Sequence, residues 1–154
     1  MAVGDVTAAE WHEYIDPLTG LTVQQVTACR DGGDTHFYFH DPAWSPNGRW
    51  FVFRSRRTGR TELYRLDMES GEITQATDQY AGGGWVSHLR PEVFYLKNAA
   101  VYATDLNTFE ERLIGEPNCR ISGGPCENAD GSLVVFGGTR TDGVSGMFVM
   151  DADT

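Results

Sequence analysis

Three stretches of this chain are decaying copies of one another, and that repetition constrains its fold more than any other feature. The fullest copy runs Asp41-Pro-Ala-Trp-Ser-Pro-Asn-Gly48, then Arg49-Trp-Phe-Val-Phe-Arg54, then Glu62-Leu-Tyr-Arg-Leu-Asp67, then Gly71-Glu-Ile-Thr-Gln-Ala-Thr77. Trp50-Phe-Val-Phe53 returns as Val93-Phe-Tyr-Leu96 and as Leu133-Val-Val-Phe136, with starts 43 and 40 residues apart. The stretch after it returns as Val101-Tyr-Ala-Thr-Asp105 and Met147-Phe-Val-Met-Asp151, each copy ending in Asp before a turn. Short runs of aromatic and β-branched residues between Asn-Gly, Ser-Gly and Asp-Gly turns read as strands joined by hairpins. A period of about 40–45 residues with four such strands is that of a β-propeller blade, a sheet whose neighbours lie around a common axis.

The expected fold is therefore all-β: one partial β-propeller domain over residues 1–154, with about three four-stranded blades at 36–78, 80–116 and 119–154. The last blade is expected to lack its fourth strand. Residues 11–28, with the turn Pro17-Leu-Thr-Gly20, read as the outer half of another blade. Three blades do not close a ring, since propellers need roughly four to eight, so the chain is expected to be the N-terminal part of a truncated ring. No stretch carries a sustained 3.6-residue apolar period, and helix is expected to be nearly absent.

Composition narrows the function. A net charge of −10 disfavours binding to a nucleic-acid backbone. No apolar run approaches the roughly 20 residues of a membrane helix, and the first ten residues lack the pattern of a secretory signal. Cys29, Cys119 and Cys126 form no CxxC pair; an odd count speaks against a disulfide framework and for buried thiols in a cytoplasmic protein.

Blade geometry sorts the charges. The loops joining fourth to first strands and second to third strands emerge on one face. His36, Arg54, Arg56, Arg57, Arg60, Lys97, Arg120 and Arg140 fall there, with Arg30 close by, while the turns around Glu69, Glu72, Asp105 and Glu110 fall on the other. A basic face on an acidic chain attracts anionic ligands, and guanidinium groups suit carboxylates. His36, Arg56, Arg57, Lys97 and Arg120 are the candidate substrate-binding residues; a solvated turn is the alternative for the Arg54–Arg57 cluster. The four histidines show no metal-ligand spacing, and His36, opening a strand into the basic face, is the strongest functional candidate among them. Trp44, Trp50 and Trp85 read as blade core, with sugar stacking as the lesser reading of Trp85. Gly82-Gly-Gly84 and Gly123-Gly124 lead into no helix and carry no following Lys, so they read as close backbone passages rather than phosphate loops.

The fullest repeat resembles the WD40-like repeat of TolB-type propellers. The opening Glu13-Tyr-Ile-Asp16 with Thr19-Gly20, Val23 and Val26-Thr27, the segment His36-Phe-Tyr-Phe39, and Leu63-Tyr-Arg-Leu-Asp67 with Ser70-Gly71 and Gln75 resemble the oligogalacturonate lyases more particularly. That resemblance covers residues 11–78 best. It implies a seven-bladed ring and a cytoplasmic carbon–oxygen lyase acting on acidic oligosaccharides by β-elimination. A base would take the C5 proton while a divalent metal, manganese by the family's habit, and Arg neutralise the uronate carboxylate. The family's metal-binding histidines and base lie in later blades, so no catalytic or metal residue is assigned here. A TolB-type interaction module and the propeller of a prolyl-oligopeptidase-type serine peptidase are the alternatives.

Overall fold

The computed structural model describes residues 2–29 and 33–153, and these contain fourteen strands and no helix. In chain order they are β1 (Val6–Thr7), β2 (His12–Ile15), β3 (Thr22–Gln25), β4 (Trp50–Ser55), β5 (Glu62–Asp67), β6 (Ile73–Gln75) and β7 (Gly82–Val86), followed by β8 (Glu92–Lys97), β9 (Ala100–Asp105), β10 (Glu111–Gly115), β11 (Cys119–Ile121), β12 (Cys126–Glu127), β13 (Leu133–Arg140) and β14 (Ser145–Asp151). Every pairing is antiparallel. The repeats form separate sheets of order β1-β6-β5-β4 and β10-β9-β8-β7, and a third in which β13 pairs with β11 and β12 on one edge and β14 on the other. Trp50 and Leu133, corresponding positions of the repeat, thus sit in different sheets, as blades require.

The repeated Asp explains the regularity of the hairpins. Asp67 Oδ1 accepts the amide hydrogens of Glu69 and Ser70 at 2.9 and 3.4 Å, and Asp105 Oδ1 those of Asn107 and Thr108 at 2.7 and 2.9 Å. The carboxylate thus folds the chain back after the third strand, as Asx turns do. Gly71 completes the first of these turns at φ +77°; Phe109 occupies the equivalent left-handed position at φ +62°, where glycine would be expected.

Side chains alternate between sheet faces, and the core lies between sheets. Val52 and Leu63 of the first sheet pack with Val86, Val93 and Tyr95 of the second. Phe94, Val101 and Ala103, on the second sheet's other face, pack with Val134 and Phe136 of the third. Phe53, Tyr64, Leu66 and Ile73 form a third cluster that takes in Val26, beside β3. Each fully buried side chain of this size contributes about 1.5–3 kcal/mol, so the interfaces hold the sheets together.

β1 and the segment from His36 onward depart from expectation. β1 adds to the outer edge of β6, fixed by Gly4 N–H to Gln75 O and Gln75 N–H to Asp5 O at 2.9 and 3.1 Å. It is two residues long and carries no alternation that a sequence pattern can register. The β2–β3 hairpin forms a sheet of its own, with Ile15, Leu18 and Leu21 exposed. The innermost strand expected from His36 onward is absent as a strand: Thr35 bridges Arg54 and Trp44 bridges Phe51, and residues 36–42 leave the sheet between these two points.

Candidate functional site

The first strand of each sheet is interrupted at a comparable level. In the second sheet the register between β7 and β8 shifts between Gly82 and Trp85. In the third, residues 122–125 separate β11 from β12 along β13. In the first, the interruption is the longer excursion 36–42. These irregular segments meet in a cleft of about 480 Å³ lined by Phe37, Tyr38, His40, Arg54, Trp85 and Cys126, with Gly83, Gly84 and Gly124 in its wall.

Glycine is required at this meeting. A Cβ on Gly83 would stand 2.9 Å from Pro125 Cδ, and one on Gly84 2.7 Å from the Phe37 ring. Gly84 also lies at φ +140°. The close-passage reading of both glycine runs fits this geometry. Burial, reinforced by the nearby Asp41 carboxylate, holds the Cys126 thiol above its ordinary range and protonated. All three cysteines are free thiols, half-buried rather than fully buried as their composition suggested.

The excursion is pinned at its start and exposed at its crest. Arg54 donates from Nη2 to the His36 carbonyl at 2.9 Å and lies 5.8 Å over the Phe37 ring, which is itself buried. Tyr38, Phe39 and His40 then form an aromatic cluster with ring centroids 4.5–5.0 Å apart. Tyr38 and Phe39 are 59% and 79% exposed. Trp44 corrects the expectation that the repeat's tryptophans are core: it is 48% exposed beside this cluster, while Trp50 is buried and Trp85 lies between. His40 Nδ1 stands 3.0 Å from Asp41.

The cations predicted to share one face divide by partner. Arg57 is almost enclosed, donating to Glu10 at 3.1 Å and Asp34 at 3.2 Å and lying over Phe53 and Tyr64. Its guanidinium ties residues near both ends of the β2–β3 region to the first sheet, and it is a structural cation. Lys97 donates to both oxygens of Glu111 at 2.7 and 2.9 Å. Glu111 also accepts from Tyr95, whose phenol is held far above its ordinary value by burial first and by that carboxylate second. Arg60 pairs with Glu62 and Asp78, and Arg140 with Asp142 at 2.6 Å. Arg56 and Arg120 are exposed and make no ion pair among the described residues; His36 is exposed and lines the outer part of the cleft. Arg30 lies outside the described residues. Sequence reasoning missed the crest of the excursion, although its signal, His36-Phe-Tyr-Phe-His40, stood in the open.

No group of three or more His, Cys, Asp or Glu among the described residues is placed to hold a metal ion. The donor pair His40–Asp41 has no third member, so the described residues do not fit a divalent metal.

Fold and cleft together define β-propeller blades whose first strands open toward a shared depression. No family model matches the sequence. The chain is 30% identical over 115 residues to the oligogalacturonate lyase of Dickeya dadantii, covering 72% of this chain and 29% of that protein. It is 29% identical over 118 residues to the oligogalacturonide lyase of Pectobacterium atrosepticum, covering 74% of this chain and 30% of that one. The chain thus spans about three-tenths of the length of these curated relatives. Among solved structures, an oligogalacturonate lyase in complex with manganese superposes with a TM-score of 0.79 at 25% identity, over 92% of this chain and 39% of that one. The TolB of Acinetobacter baumannii superposes at 0.56 with 14% identity over 97% of this chain and 52% of that chain, and shows the fold alone. By sequence and by structure the chain is similar to oligogalacturonate lyases.

Proposed function

We propose that these blades are the scaffold and part of the substrate-binding face of an oligogalacturonate lyase-like enzyme, a carbon–oxygen lyase that cleaves oligogalacturonides by β-elimination. The similarity to two lyases over more than two-thirds of this chain carries the reading. The local chemistry supports a binding role for this segment. Arg56 and Arg120 stand toward the end of the sheets that also bears the cleft, paired with no carboxylate among the described residues, as residues waiting for an anionic ligand would be. His36 adds a donor on the same side. Lys97 and Arg57 contribute by holding Glu111, Glu10 and Asp34 in place rather than by touching sugar.

In this reading the proton abstraction at C5, the metal and its ligands belong to other blades of a seven-bladed ring, and a divalent ion, manganese by analogy with the solved relative, serves there. The three blades are proposed at 36–78, 80–116 and 119–154, with β1 added to the edge of the first, and the half-buried free thiols suit a cytoplasmic protein. The test is calorimetric titration of the protein with trigalacturonate and with the neutral galactose trimer. Preference for the charged sugar, reduced about tenfold in an Arg56→Ala, Arg120→Ala variant, is the expected result. Equal affinity for the two sugars would refute it.

A further inference from the structure

The cations explain how a charged sugar would be attracted, but not what its apolar faces would meet. The excursion 36–42 does. A six-residue excess separates its two bridging points, against one residue in the second sheet and two in the third. A strand interruption this long is expensive unless something fixes it. Three contacts do: Arg54 to the His36 carbonyl, Phe37 packed against Gly84, and the Asp41 amide donating to the Tyr38 carbonyl at 2.8 Å. Phe37 is buried, and what these contacts hold out is the Tyr38–Phe39–His40 cluster. Exposed aromatic rings clustered on a braced loop at a concave site are interaction surfaces rather than stray surface residues.

Resting on the function proposed above, we infer that this cluster is a stacking platform for a pyranose ring, seating one residue of an acidic oligosaccharide where it enters the cleft. A sugar ring presents axial C–H groups on its face and hydroxyls around its edge. The site offers the complement. Tyr38, Trp85, His40 and Asp41 line both the cleft and the shallower depression outside it, while Phe39 lines that outer depression and Arg54 the cleft. Arg54 Nε has no hydrogen-bond partner among the described residues, and a purely apolar ligand would leave it so, at a cost in affinity. The open basic side chains, Arg56 and Arg120, stand at the same end of the sheets and give an anionic sugar a reason to arrive there.

Phe39 is the residue to perturb, because at 79% exposure its removal leaves no cavity. Phe39→Ala is expected to keep the wild-type melting temperature and to weaken trigalacturonate and the neutral galactose trimer by a similar factor, about five- to tenfold. Phe39→Tyr should restore binding. Saturation-transfer NMR, irradiating the aromatic protons, should mark the sugar's C–H protons in the wild type and lose that transfer in Phe39→Ala. Unchanged affinity and unchanged transfer in Phe39→Ala, with the charged sugar still preferred by the wild type, would overturn the platform and leave the proposed function standing. Equal wild-type affinity for the two sugars, both weakened by Phe39→Ala, would do the reverse. Binding of neither sugar overturns both, and sedimentation showing that Phe39→Ala dissociates a dimer while sugar affinity is unchanged overturns the platform alone.

Discussion

Adjacent arginines in one turn carry opposite burdens, and exchanging each for alanine separates them. Arg57 is 7% exposed, and its partners Glu10 and Asp34 are 21% and 12% exposed. Removing one partner of a buried pair costs about 3–5 kcal/mol; the partial exposure of Glu10 favours the lower end. The cation also lies 5.6 Å from the Phe53 centroid and 5.1 Å from that of Tyr64, contacts worth about 0.5–1 kcal/mol each. Arg57→Ala should therefore lose about 4 kcal/mol. Equilibrium urea unfolding, followed by tryptophan fluorescence, would show this as a midpoint about 2 M lower for a slope of about 2 kcal/mol/M. Arg56→Ala, exposed and unpaired, should stay within about 0.5 kcal/mol of the wild type. Combining Arg57→Met with Glu10→Gln and Asp34→Asn should recover much of the loss, because no buried charge is then left alone. An Arg57→Ala midpoint within about 0.5 M of the wild type would refute the assignment of a structural role.

Other outcomes follow from individual contacts. Burial alone would raise the Asp67 carboxyl, but the Arg49 guanidinium and the amides of Glu69 and Ser70 outweigh it and hold it below its ordinary 3.8. Its contribution to stability is thus fully present above that value and lost as pH falls through the lower folded one. The stability gap between wild type and Asp67→Asn should be constant from neutral pH down to about 4 and narrow only below that, in urea titrations across pH. Gly84→Ala should cost about 2 kcal/mol, because the new Cβ would displace the Phe37 ring and the φ of +140° disfavours any side chain, whereas Gly146→Ala, with open space at its Cβ, should fall within about 0.5 kcal/mol in thermal melts. The outer edge of β14 has no partner strand among the described residues, and Met147 and Val149 are 72% and 59% exposed. The chain should self-associate there, and Val149→Lys should shift sedimentation profiles toward the monomer.

The blades were legible because the repeat writes their chemistry three times. Asp67 and Asp105 recur because each accepts the amides of its turn, and the apolar position Phe51, Phe94, Val134 recurs because each packs against a neighbouring sheet. What recurs for a physical reason is visible in one sequence. β1 was not legible, since two residues on an edge leave no period to find. The excursion 36–42 was read as a strand because aromatic residues favour strands, and only tertiary contact, Arg54 reaching the His36 carbonyl and Phe37 lying on Gly84, reveals a loop. The basic face was half legible. Counting cations located them at one end, but a sequence gives no count of the acids folded against them.

That last gap decides what kind of site this end can be. Arg57, Arg60, Lys97 and Arg140 each meet a carboxylate, and Arg54 is committed to a backbone carbonyl. A chain of net charge −10 consumes most of its positive groups in bracing itself. The few left open among the described residues, Arg56 and Arg120, cannot supply a broad electrostatic surface; each exposed pair with a ligand contributes on the order of 1 kcal/mol or less and weakens with salt. If a charged sugar binds at this end it needs contact of another kind, which the proposed aromatic crest would supply. The two contributions should separate with ionic strength. Raising salt should erode the preference for trigalacturonate over its neutral counterpart, while the loss caused by Phe39→Ala should persist, because stacking is not screened. A Phe39→Ala penalty that vanished with salt would mean that the crest acts through charge, and would undo this division of labour.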